Sequence, residues 1–77
     1  MTPAEIKAAA SARIVLLDDY LQGQEIVLNL AHDNVPTDQR AERLLQQADV
    51  VLSQTTRANS IRRAERLREL LARYVAS

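Results

Sequence analysis

Residues 2–31, TPAEIKAAASARIVLLDDYLQGQEIVLNLA, are apolar around most of a helical circumference. On a helix turning about 100° per residue, Lys7, Ser11, Asp18, Gln22, Glu25 and Asn29 share one narrow polar strip. Ile6, Ala10, Leu17, Tyr20, Leu21, Leu28 and Ala31 form one apolar flank, and Ala8, Ala12, Val15, Leu16, Ile26 and Leu30 a second. A surface helix needs one apolar stripe facing a core. This one needs cover on two sides. Later helices of the same chain can cover one flank, and a second copy is the expected cover for the other, through Val15, Ile26 and Leu30.

The start of this helix is strongly signalled. Thr2-Pro3-Ala4-Glu5 reads as a capping box, in which the Thr2 hydroxyl and the Glu5 carboxylate satisfy each other's backbone N–H groups. Pro3 falls at the first helical position, where its missing N–H does no harm. The helix is expected over about 3–32, with Gly23 as a point of bending or close contact. A β-hairpin competes over 14–30, because Ile14–Leu17 and Ile26–Leu28 are β-prone runs. The alanine-rich lead-in and Asp18-Asp19 argue against it.

The one clear break is His32-Asp33-Asn34-Val35-Pro36-Thr37. Pro36 pushes Val35 out of the helical region, and Asn34 suits the left-handed conformation that closes a helix. Thr37 is a good N-cap and Asp38 places an acid in the next first turn. So short a connection predicts an antiparallel hairpin between the first two helices. The second helix is expected over about 38–56, with Ala41, Leu44, Leu45, Ala48, Val51, Leu52 and Thr55 on one face. Ile61, Ala64, Leu67, Leu70, Leu71, Tyr74 and Val75 form the apolar face of a third helix over about 60–75, capped by Asn59 or Ser60. These two stripes lie about 140° apart if the helix runs straight through, so a bend is expected near 56–60. The predicted fold is all-α, an antiparallel helical hairpin or three-helix arrangement, self-associating into a helical bundle.

At 77 residues the chain allows one domain, 1–77. A chain this short buries only about 60% of its unfolded surface, which again favours association. With two tyrosines and no Phe or Trp, the core must be aliphatic. The absence of cysteine removes disulfide and thiolate chemistry. No signal peptide and no apolar run near the ~18 residues of a membrane span is evident, so the cytoplasm is expected and a membrane partner is not.

Chemistry is hard to place. Asp18, Asp19 and Glu25 read as a solvated face, since acid–base catalysis needs a carboxylate of shifted pKa in a pocket. His32 stands without the further ligands a metal site requires. No Ser-His-Asp set or glycine-rich phosphate loop is present, so an enzyme, a cofactor and a metal are not expected. Charge is more informative. Residues 1–38 hold two cations against six acids, whereas residues 39–77 hold eight arginines against four. Arg62, Arg66 and Arg73 share one face of the third helix and offer a partner or nucleic-acid surface. Glu69–Arg73 and Glu65–Arg68 also fit an intrahelical ladder. Residues 48–61 loosely resemble the turn of a helix-turn-helix, with Leu52 where such turns favour Gly. The leading expectation is a non-enzymatic protein–protein interaction module, acting as an adaptor, chaperone-like or inhibitory binder. The alternative is a small dimeric DNA-binding regulator using the arginine-rich third helix, and the net charge of zero weighs against it.

Overall fold

A computed structural model of the chain describes residues 1–24 and 34–77. Among these residues the helices are α1 (Pro3–Leu21), α2 (Asp38–Leu52) and α3 (Ala58–Ala76), each packed against both others. Among the described residues no strand is present. Ile14–Leu17 are helical, which overturns the β-hairpin for that part of 14–30.

The caps follow from the residues that precede each helix. At α1 the Glu5 N–H donates to Thr2 Oγ1 at 3.2 Å, and the Thr2 N–H donates to Glu5 Oε1 at 2.9 Å. At α2 the Arg40 N–H donates to Thr37 Oγ1 at 3.3 Å, and Asp38 sits in the first turn. α3 begins differently from expectation. Arg57 is its N-cap residue, and Ser60 stands at the third helical position, where its Oγ accepts the Arg57 N–H at 2.8 Å.

The helix ends also differ. α1 stops at Leu21 and does not run on to 32. Gln22 adopts the left-handed conformation (φ 49°) and its N–H donates to the Asp18 carbonyl at 3.1 Å. Gly23 follows at φ 78°, which a residue without Cβ tolerates. The remainder of the expected helix, including Ile26, Leu28, Leu30, Ala31 and His32, falls largely outside the described residues. α2 stops at Leu52 and not at 56, where the Ser53 hydroxyl donates to the Val50 carbonyl at 2.7 Å. The expected break between the second and third helices is therefore present, at 53–57.

Cross-helix contacts fix the topology. Tyr74, near the end of α3, donates its hydroxyl to Asp38 Oδ1 at the start of α2, at 2.7 Å. Arg63 Nη2 donates to Gln54 Oε1 at 3.0 Å at the opposite end. So α2 and α3 form an antiparallel pair in contact along their length. This is not the crossed pair of a helix-turn-helix. Lys7 Nζ donates to the Ser77 carbonyl and Tyr20 to Ser60, which makes α1 antiparallel to α3. The Met1 amine lies 3.8 Å from Glu42, Arg13 pairs with Asp49, and Tyr20 Oη lies 3.3 Å from the Gln54 carbonyl. α1 and α2 are thus parallel. The hairpin expected between the first two helices is found between the second and third.

The core is aliphatic apart from Tyr74. Ile6, Ala10, Leu17 and Leu21 of α1 meet Ala41, Leu44, Leu45, Ala48 and Val51 of α2 and Ala64, Leu67, Leu70 and Leu71 of α3. Alanine at the 0%-exposed positions 10, 41, 48 and 64 lets the backbones approach, while the leucines fill the spaces between. Through Ile6, Ala10, Leu17 and Leu21, the first flank of α1 is the one inside as far as the described residues extend.

Candidate interaction surfaces

Among the described residues, apolar side chains of the helices reach solvent in two places. The first is the other flank of α1. Ala8 and Ala12 are exposed, Val15 is 67% exposed and Leu16 50% exposed. Of the three residues expected to mediate self-association, Val15 is therefore at the surface. Ile26 and Leu30 lie outside the described residues.

The second surface is a cleft of about 540 Å3 between α2 and α3. Its apolar lining comes from Leu44, Val50 and Val51 on one wall and Leu67 and Leu70 on the other. Val50, 56% exposed, is turned off the core face of α2 and presents its methyl groups to solvent. Arg40 and Arg43 rise from α2, and Arg63 and Arg66 from α3; Gln46 and Gln47 complete the lining. Among the described residues no carboxylate lines the cleft, and every one that does belongs to α2 or α3.

Of the expected arginine face, Arg66 rims the cleft, Arg62 is exposed one turn before it, and Arg73 is half-buried two turns after it. Arg68 faces another way. Its Nε lies 2.7 Å from Asp18 Oδ1 on α1 and its Nη1 2.7 Å from Glu69 Oε1, and these two bonds hold its pKa above the usual value. Asp18 was expected on a solvated strip; it is half-exposed, but it ties α1 to α3. Arg13 reaches Asp49 with two donors, at 2.9 and 3.2 Å, and ties α1 to α2. Part of the opposite charge of the two halves is thus spent on joining the helices.

Two polar groups inside the fold are fully engaged. Ser60 is 2% exposed. Its Oγ receives the Arg57 N–H and the Tyr20 hydroxyl (2.9 Å), and its own proton faces the Arg57 carbonyl at 3.0 Å. Every hydrogen-bonding position of the hydroxyl is filled. Tyr74, also 2% exposed, gives its proton to Asp38, and the Lys7 ammonium lies 5.8 Å from its ring centroid. That bond, together with burial and the Asp38 and Glu42 charges, pushes the phenol up to about 12. At the surface, the Thr2 backbone and hydroxyl hold Glu5 below the usual carboxylate value.

The cleft was not legible in the sequence. Of its lining, Arg66 belongs to the expected arginine face, whereas Arg43, Gln47 and Val50 on α2 and Arg63 on α3 fall outside the apolar faces read from the sequence. They meet only once the antiparallel register of α2 and α3 is known. Among the described residues no group of three or more His, Cys, Asp or Glu side chains converges as a metal site would require, and no helix is long and apolar enough to cross a membrane. Comparison with protein-family models, curated proteins and solved structures finds no match for this chain.

Proposed function

We propose that the protein is a non-enzymatic, cytoplasmic protein–protein interaction module that works as a homo-oligomer. The exposed apolar flank of α1 carries this reading. α2 and α3 each have one apolar face, turned to the core. α1 has two, and the second, through Ala8, Ala12, Val15 and Leu16, stays in solvent. Contiguous exposed apolar surface is the usual mark of an interface. A second copy is the simplest cover, because a two-fold axis brings the same flank against itself.

Size exclusion coupled to light scattering tests this. The protein should run above its monomer mass of 8.6 kDa at micromolar concentration. Val15→Asp should lower the mass while leaving the helical circular dichroism intact, because Val15 is outside the core. A monomer at every dilution would overturn the reading. The competing role, a dimeric DNA-binding regulator, draws support from Arg62 and Arg66, exposed on one edge of α3. Tight binding to a defined DNA site, lost in Arg62→Ala and Arg66→Ala, would favour it over the interaction module.

A further inference from the structure

The α2–α3 cleft has a composition that selects its occupant. An apolar floor, in which exposed Val50 lies over the nearly buried Leu44, Val51, Leu67 and Leu70, is flanked by arginine on both walls, with no acid among the described residues of the lining. From Arg40 to Val51 the α2 wall is about 16 Å long at helical rise, the length of a three-turn helix. We propose that this cleft docks an amphipathic acidic helix of another protein. Apolar side chains at i, i+3 or i+4, and i+7 of that helix would lie on the floor, as in other helix-in-groove complexes. Asp or Glu on its two flanks would meet Arg40 and Arg43 on one side and Arg63 and Arg66 on the other. The planar guanidinium fork suits a carboxylate with two parallel hydrogen bonds.

Charge complementarity excludes a basic helix, and the floor weighs against a phosphate chain. A nucleic acid backbone would bond to the arginines and leave Val50 and its apolar neighbours against water or charge. α1 contributes no described residue to the cleft, so the partner helix can dock while α1 is paired. The proposal rests on the chain being a protein-binding module, not on its self-association.

Fluorescence anisotropy with the full chain is the test. The probe is a labelled helical peptide of about fifteen residues, four turns, with leucines at the three anchor positions and glutamates on both flanks. Two controls replace all glutamates by lysine, or all leucines by serine. The acidic leucine peptide should bind at least roughly tenfold more tightly than either control. Val50→Asp should weaken it by a similar factor with helicity unchanged, because Val50 is exposed. Arg43→Glu combined with Arg66→Glu should abolish binding of the acidic peptide and gain binding of the lysine peptide. Equal binding of the serine control would make the cleft a general polyanion site and overturn the proposal. So would wild-type affinity in both variants, no binding up to millimolar peptide, or displacement of the peptide by equimolar duplex DNA. Loss of self-association in Val50→Asp would assign the cleft to a second copy and overturn it too. Peptide binding by a strictly monomeric chain would leave it standing and remove only the oligomer.

Discussion

Tyr74 is where one residue joins most of the molecule. Its ring is in the core, its hydroxyl holds Asp38 at the start of α2, and Lys7 of α1 lies over its face. Because its folded-state pKa is raised to about 12 from an ordinary 10.0, the folded chain keeps a proton that the unfolded chain gives up. Stability from this source is complete below about pH 10 and falls as pH rises toward 12. Thermal melts across that range should show a decline that Tyr74→Phe lacks. An equal decline in the variant would mean that other groups control alkaline unfolding. Ser60 is the counterpart at the other end of α3. Thr2 and Thr37 were legible as caps because capping is local: hydroxyl and N–H lie three residues apart. The role of Ser60 was legible only in part, since one of its partners, Tyr20, is forty residues away.

At the scale of the element, α1 shows what periodicity gives and what it misses. Its core face was correct through Ile6, Ala10, Leu17 and Leu21, because burial follows the 3.6-residue repeat wherever the helix persists. Its end was missed. Gln22 is a good helix former by propensity, yet it is the residue that turns left-handed, with Gly23 behind it at φ 78°. A Cβ built on Gly23 would meet no atom within 4 Å, so any penalty for adding one is a backbone penalty. Gly23→Ala should therefore cost about 1–2 kcal/mol through left-handed strain alone. Urea denaturation reads it as a lower midpoint with an unchanged slope. An unchanged or higher midpoint would show that the turn readily takes another conformation.

At the scale of the whole molecule, the chain's helical class and its three apolar faces were plain, but its topology was not. The break at residues 32–37 was read as a tight hairpin because the first helix was expected to reach residue 32. That reading fails because α1 ends at Leu21, where Gln22 turns left-handed. The ion pairs Arg13–Asp49 and Arg68–Asp18 join helices that no local rule connects. Their side chains are partly exposed, so each contributes at most about 1 kcal/mol. They favour a particular alignment of α1 on the hairpin more than they stabilise the fold.

That α1 runs parallel to α2 has a consequence for the order of assembly. The α2–α3 pair closes across only residues 53–57, whereas the bonds α1 makes to its neighbours span 34 to 70 residues of sequence. Loop-closure entropy grows with that separation, and sequence-local contacts form faster. The hairpin should be the nucleus and α1 the late arrival. Ala48→Gly, within the hairpin, should slow refolding. Ala10→Gly, on the core face of α1, should mainly speed unfolding. Stopped-flow chevrons separate the two limbs. If Ala10→Gly slowed folding in proportion to the stability it loses, α1 would already be in place at the barrier, and the three helices would assemble together.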